Sequence, residues 1–545
     1  MKKRLGLLLA AAMVAGCTAG CRSTAQTPEK PESSAAVSTE ETDTSGTTVD
    51  ESTSANQYNG HDLSEKITLT FNVIDTEKQN MDERYDYLRE KFNVDFNLIS
   101  CSLNDSKEKA RMWVSGGDMP DMMWSDIDNA SELRSWIEGG ALKELPDLSK
   151  YPNLLALKDM QQTDDSLKVD GADYFITTIR DTEEINFLTT QAFIYRKDWA
   201  QQLGLYKEEY TWDEMLALAK AMVKQDPGAN GAGKTIGVAG VGWAYPAFSG
   251  LQQISPNWNT FYQKDGAYVW GAEQPETMEG LKMAKEMYAE NIVWSEQSLA
   301  NTLDGPAKFQ AGQAGILYHN LTYNNIGSII SGLKETYPGE NVLDKVAIMN
   351  VKSPDGTNFA LEATDAWGAL CFRYDIDDAK LERFLCILDY LASEEGIMLQ
   401  QYGVEGKDYQ LNNGEIEMFW DKDDNGNYIC PYEVNSDRIL SFARLFEFEK
   451  GSVEYASAEA KEIMAQLKSY LTGANMNIGE IDYAFAAFSA PNKDQSNLAS
   501  ETREKMLELI ISSEDVEADY TAWLASQTEK KDAVLKELNE GLLNQ

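Results

Sequence analysis

The run Ile67-Thr-Leu-Thr-Phe-Asn-Val73 alternates apolar and polar residues at period two, as a half-buried strand does. Asp82 to Phe92 follows, with Tyr85, Leu88 and Phe92 at helical spacing. Val94-Asp-Phe-Asn-Leu98 then alternates again. A strand, a helix and a second strand within about thirty residues make a parallel crossover unit, so the folded chain opens as α/β.

Further along, Thr211-Trp-Asp-Glu214 reads as a capping box. Thr211 caps a helix and Glu214 answers it. Trp212, Met215, Leu216, Ala219, Met222 and Val223 mark its apolar face, and Asp226-Pro227-Gly228 stops it. Thr235 to Val241 reads as a short strand. Leu381 to Leu391 and Ala460 to Leu471 read as helices, and the C-terminus from Glu501 is largely helical. No internal repeat is visible.

Upstream, Lys2, Lys3 and Arg4 precede the apolar run Leu5 to Ala15, which is too short for a permanent membrane span. It ends in Val14-Ala15-Gly16-Cys17, which resembles the lipobox of bacterial lipoproteins, whose cysteine is lipidated and becomes the new N-terminus. Cys21 is a weaker second candidate, because Thr18 stands where the pattern prefers an aliphatic residue. From Arg22 to about Asn59 the chain is Ser, Thr, Glu, Pro and Ala, too apolar-poor to offset its ordering entropy. The expected organisation is a signal peptide over 1–16, a disordered tether over 17–60 and a folded region over 61–545. That region, roughly 485 residues, exceeds what one core organises, so two lobes are expected.

The net charge is -41, and removing Lys2, Lys3 and Arg4 leaves about -44. Nucleic acid and anionic headgroups are poor ligands for such a chain. Four cysteines lie beyond the lipobox: Cys101, Cys371, Cys386 and Cys430. None is in CxxC spacing, so zinc is unsupported, and buried free thiols are the expected state.

Two strings imitate functional loops. Gly228-Ala-Asn-Gly-Ala-Gly233-Lys234-Thr235 fits GxxxxGK[ST], but a phosphate-binding loop must follow a strand and open a helix. Here a helix precedes and a strand follows, so the reading is rejected. Asp226-Pro-Gly-Ala-Asn230-Gly231 looks like a calcium-type loop, with Gly228 where a third oxygen ligand belongs; a bare turn is expected. Asp421, Asp423 and Asn425 match such a loop better, but Tyr432 holds its twelfth position, where a bidentate Glu is needed. A hairpin turn is the preferred reading there, calcium the lesser one, and no cofactor or metal is expected. With two histidines, His61 beside the tether and His319 alone, a Ser-His-Asp arrangement has little material. Paired carboxylates remain open in a chain with 89 acids.

Several segments resemble the family 1 extracellular solute-binding proteins, especially the large lipoproteins of Gram-positive bacteria. They are Trp113-Val-Ser-Gly-Gly-Asp-Met-Pro-Asp121, Glu138-Gly-Gly-Ala-Leu142, Leu148-Ser-Lys-Tyr-Pro-Asn153, Tyr195-Arg-Lys-Asp-Trp199 with Leu203-Gly204-Leu205, and Thr211-Trp-Asp-Glu214. Tyr402-Gly-Val-Glu-Gly-Lys-Asp-Tyr409 and Asp519-Tyr-Thr-Ala-Trp523 complete the series. The resemblance implies a type II periplasmic-binding-protein-like fold: two α/β lobes, each a mixed sheet flanked by helices, with a largely helical C-terminus. It implies a binding protein rather than an enzyme. A carbohydrate, often an oligosaccharide, would close between the lobes and pass to the permease subunits of an ABC transporter. The protein would sit lipid-anchored through Cys17 at the extracellular face of the cell membrane. Some relatives bind peptides or signal; a secreted carbohydrate-active hydrolase and a surface adhesin are the rival classes.

Sugars stack apolar C–H faces on rings and need fixed polar partners for their hydroxyls. Among 12 Trp and 25 Tyr, several stand beside turns with polar neighbours. The candidate ligand-binding residues are Asp75, Trp124, Asp126, Trp243, Tyr245, Tyr318, Asn320, Asp365 and Trp367. Asp75 and Trp124 to Asp126 are expected just after strands, where open α/β sheets take their ligands.

Overall fold

The computed structural model describes residues 57–74, 82–127, 130–159, 167–179, 191–240, 245, 249–296, 304–352, 356, 358–361, 366–422, 428–429, 431–432, 456–471, 476–479 and 494–542. All belong to one compact unit, Ser54–Gln545, and the other unit, Met1–Thr53, lies outside the described residues together with Cys17 and Cys21.

The opening crossover unit is present. Ile67–Ile74 and Val94–Cys101 pair in parallel along their whole length, and the helix Glu83–Phe92 joins them. Asp82 caps that helix, accepting from the Arg84 amide, and Tyr85, Leu88 and Phe92 are buried. Met122–Asp126 adds in parallel on the other side of Ile67–Ile74. Next to it lies Ala366–Phe372, antiparallel, and Ile176–Ile179 forms the far edge. This five-stranded mixed sheet is lobe one. The helix Asp378–Leu391 packs on it, with Leu381, Phe384, Leu385 and Leu388 in the same core as Leu69, Phe71 and Phe372.

Lobe two has a four-stranded mixed sheet in the order Val346–Ile348, Gln191–Arg196, Ala314–Asn320, Ile236–Ala239, with only Gln191–Arg196 running against the others. The helix Trp212–Gln225 covers one face. Its Thr211–Glu214 capping box forms, and Trp212, Met215, Leu218, Ala219 and Met222 are buried. Tyr323–Thr336 and Ala458–Leu471 cover the other face through Ile326, Ile330, Ile463 and Leu467. A second four-stranded sheet, Met476–Gly479, Asn358–Leu361, Val351–Lys352 and Tyr210–Thr211, adjoins it. Three C-terminal helices, Asp494–Ser512, Val516–Ser526 and Thr528–Leu542, bring Met506, Tyr520 and Trp523 onto lobe two.

The chain therefore leaves lobe one after Ile179 and returns to it at Ala366. It leaves again between 432 and 456, since Tyr432 packs with Tyr402, Tyr409 and Trp420 beside lobe one, and Ala460 belongs to lobe two.

The tether ends earlier than the sequence suggests. Gln57–Tyr58 and His61–Asp62 form a small hairpin, and Asp389, fully buried in lobe one, fastens it. This carboxylate accepts from the Tyr58 hydroxyl at 2.8 Å, Asn59 Nδ2 at 3.1 Å, and the amides of Asn153 and Leu154 at 2.8 and 2.9 Å. His61, the first residue of the expected folded region, is buried, stacked on Tyr151 at 4.9 Å, with Nδ1 against Glu382. Composition alone marked residues 57–60 as polar coil, whereas their hydrogen bonds go to a carboxylate 330 positions away. Cys101, Cys371 and Cys386 are buried, Cys371 and Cys386 as free thiols, and Cys430 lies outside the described residues.

Candidate functional site

Both main sheets present their carboxyl-terminal edges as the place where a ligand collects in α/β folds. In lobe one that edge holds Ile74, Asp126, Ile179 and the start of the returning strand at Ala366. Asp126 closes its strand opposite Gly368, and Lys107 lies 3.5 Å from its carboxylate. In lobe two it holds Ala239, Asn320, Ile348 and the amino end of the opposing strand at Gln191.

Asp126 thus occupies the edge expected of it, and Asn320 lies at the corresponding edge of lobe two. Asn320 is half-buried, pairs with Gln191, and its carbonyl accepts from Asn325 Nδ2 at 2.8 Å. Asp75, Trp243 and Asp365 lie outside the described residues, as does the side chain of Trp367, whose backbone is the second residue of Ala366–Phe372.

Three candidates are corrected to core. Trp124 lies within the strand rather than after it, is 1% exposed, and packs with Phe71, Met122 and Leu370. The strand begins at Met122, and that register turns the indole inward. Gly368 faces it across the ladder: a Cβ there would lie 2.1 Å from Trp124 Cζ2. Tyr318 is 1% exposed and touches the Phe193 ring at 4.8 Å. Tyr245 is buried in the same cluster, which also holds Trp212 and Trp258. Burial raises both phenols above their ordinary range, which suits packing groups. Polar neighbours in sequence misled the reading, because alternation sends Tyr318 and Asn320 to the same face at different depths.

The sequence reading weighed His319 only for catalysis and not as a binding residue. It is 4% exposed, and burial pushes its pKa down to about 4. Its Nδ1 has no hydrogen-bond partner among the described residues, and neither do Gln191 Oε1 and Asn350 Oδ1 nearby on the same sheet. The one available signal was a histidine at the end of an apolar run, Ala314-Gly-Ile-Leu-Tyr318.

The calcium-like loop closes on itself. Asp226 accepts from the amides of Asn230 and Gly231 at 2.9 and 2.8 Å and from the Thr235 hydroxyl. Those bonds, the Thr235 hydroxyl foremost, hold its carboxyl below the usual range. The phosphate-loop mimic Gly228–Thr235 follows the helix Trp212–Gln225 and precedes the strand Ile236–Ala239, the reverse of what phosphate binding needs. Asp423 and Asn425 lie outside the described residues; around them Lys422 bridges Tyr428 antiparallel and the Ile429 amide donates to the Asp421 carbonyl at 2.7 Å.

The motif residues are structural ties. Asp121 accepts from the Thr70 amide at 3.0 Å and pairs with Lys380 at 2.9 Å. Arg196 is held by Asp198 and lies over the rings of Trp199 and Tyr337. Asp408, buried, accepts from the Val404 amide, Trp420 Nε1 and the Tyr432 hydroxyl. Among the described residues, no helix is long and apolar enough to cross a membrane.

Residues 74–380 match the family model of the bacterial extracellular solute-binding protein. The polygalacturonan/rhamnogalacturonan-binding protein YtcQ of Bacillus subtilis (strain 168) is 25% identical over 324 residues, 57% of this chain and 59% of that protein. The chain thus matches less than two thirds of that relative's length. Among solved structures, the alginate-binding protein AlgQ2 without calcium superposes with a TM-score of 0.67 at 15% identity, covering 88% of this chain and 99% of that one. FusA, the S. pneumoniae ABC-transporter substrate-binding protein in complex with kestose, superposes with a TM-score of 0.60 at 16% identity, covering 88% and 100%. At these identities the likeness shows the fold, the type II two-lobe architecture.

Proposed function

Because the chain belongs to the bacterial extracellular solute-binding protein family, we propose that it captures a carbohydrate between its two lobes and hands it to the permease of an ABC importer. The observation that carries this reading is the pair of sheet edges. Each lobe ends in a mixed sheet whose parallel strands stop at one rim, and the chain leaves lobe one from that rim at Ile179 and re-enters it there at Ala366. Chain crossings between two lobes let them close about a ligand, as hinged binding proteins do. Polar groups line the rims at Asp126, Gln191, Asn320 and Asn350, suited to hydroxyls.

The relatives that bind polygalacturonan, alginate and kestose favour an oligosaccharide over a peptide. The reading is of a binding protein without catalysis: His61 is engaged with Glu382 and Tyr151, and His319 is buried in a sheet. Lys2 to Cys17 supports export and lipid anchoring at the extracellular face of the membrane. A thermal-shift screen of the full-length chain against a glycan panel tests the proposal. A ligand that binds only the folded state raises the melting temperature with its concentration. A panel of neutral and acidic oligosaccharides that leaves it unmoved, with a peptide library that raises it, refutes the carbohydrate reading.

A further inference from the structure

The lobe-two sheet ends in polar side chains on a face otherwise built of hydrocarbon. Ala192, on the strand Gln191–Arg196, pairs with His319 on one side. On the other side Ile348 pairs with Ile194, and the Met349 amide donates to the Phe193 carbonyl at 2.7 Å, so Asn350 comes level with Ala192. Ile194, Leu317 and Ile348 pack in one cluster, while Phe193, Tyr318 and Met349 pack in the opposite one. Alternation therefore places Ala192, His319 and Asn350 on a single face. The two polar residues flank a methyl group, which leaves the space between them low.

His319 Nδ1 and Asn350 Oδ1 are both buried and without a hydrogen-bond partner among the described residues. Folded proteins rarely leave such groups unmet, because desolvation without a bond is costly. His319 and Asn350 share one face at a sheet end, on the edge where α/β folds take ligands. A sugar hydroxyl offers what they lack: one O–H for an amide oxygen, and lone pairs or a proton for an imidazole nitrogen according to its tautomer. The imidazole is neutral, since burial pushes its pKa down to about 4, so neither group carries a charge that would match a uronate.

We propose that His319 and Asn350, on either side of Ala192, form a hydroxyl-binding subsite for an uncharged sugar unit. The proposal rests on the carbohydrate reading above and adds where lobe two holds the sugar and which kind of unit it accepts.

The test is isothermal titration of the full-length chain in detergent with kestose, cellotetraose, chitotetraose and trigalacturonate. Wild type, His319→Leu, His319→Gln and Asn350→Ala are compared, each beside a ligand-free melting curve. The expected result is that a neutral oligosaccharide binds wild type, and that His319→Leu and Asn350→Ala weaken it about ten- to a hundredfold. His319→Gln, which keeps a polar group, recovers part of the affinity, and the ligand-free melting temperature of His319→Leu does not fall. Where His319→Leu fails to fold, His319→Gln and Asn350→Ala decide by the same comparison. Affinities within twofold of wild type overturn the subsite while leaving the carbohydrate reading intact. Binding confined to trigalacturonate overturns the uncharged unit. Failure of wild type to bind any of the four glycans removes the subsite and turns against the carbohydrate reading as well.

Discussion

Replacing Gly368 by alanine should damage lobe one through a single contact. The new Cβ would sit 2.1 Å from Trp124 Cζ2, 2.4 Å from Cε2 and 2.5 Å from Nε1, where ordinary contact begins at 3.4 Å. The indole is a rigid plane in a filled core, so the strand pair must separate by about 1 Å or the ring must leave its rotamer, an overpacking cost of about 1–3 kcal/mol. Trp124→Ala alone should cost about 3–5 kcal/mol, because it empties a large buried site. In the Trp124→Ala background the alanine at 368 meets open space, and its cost should fall to within about 0.5 kcal/mol of zero. Hydrogen exchange read by mass spectrometry on a peptide covering Met122–Asp126 reports the opening of this sheet without assuming that the two lobes unfold together. Additive single and double mutants would refute the packing account. So would a Trp124→Ala protein that keeps its protection and loses only ligand affinity, which would restore Trp124 as a binding ring.

His319 gives a pH signature. Its folded pKa of about 4 lies below the ordinary 6.5, so the unfolded chain binds the extra proton between those values, and stability should rise with pH from about 4 to 6.5 and level off above. At about 1.4 kcal/mol per pH unit the full effect is about 3 kcal/mol, read as the difference between wild type and His319→Gln in urea midpoints across that window; parallel curves would contradict it. Thr211→Ala should lose about 1 kcal/mol by opening the capping box over Trp212–Gln225, a cost absent from a variant with Ser at that position, as thermal melts will show. Cys17→Ser should release the protein from membranes or leave it unprocessed, with Cys21→Ser milder; equal retention by both, after fractionation and blotting, counts against Cys17 as the lipid site. ATP should not be turned over, and phosphate release abolished by Lys234→Ala would overturn the rejection of the phosphate loop.

The elements with strong local patterns were legible. Period two in Ile67–Ile74, the Tyr85, Leu88, Phe92 spacing, and the reciprocal Thr211 and Glu214 all appear in place, because each is decided by neighbours within a few residues. What sequence could not show is which face a strand turns inward. Trp124 and Tyr318 stand beside polar residues in sequence and inside cores in space, since the strand register that buries them is set by partners such as Gly368 and Phe193 from distant segments. The same holds for residues 57–60, whose polar composition conceals a clasp on Asp389. Asp126 was placed at a sheet rim by a topological rule that holds irrespective of packing.

The returning strand Ala366–Phe372 sits between Met122–Asp126 and Ile176–Ile179, so the edge strand Ile176–Ile179 has no neighbour in its own sheet until Ala366–Phe372 exists. The ribosome finishes Ile179 long before Phe372; at about 5–20 residues per second the interval is on the order of 10–40 s. During that interval the first-made lobe cannot complete its sheet, and Trp124 lacks the glycine that later lies against it. The order of the segments along the gene thus acts as a timer, keeping the leading portion of the nascent chain incompletely folded until most of lobe two has been made.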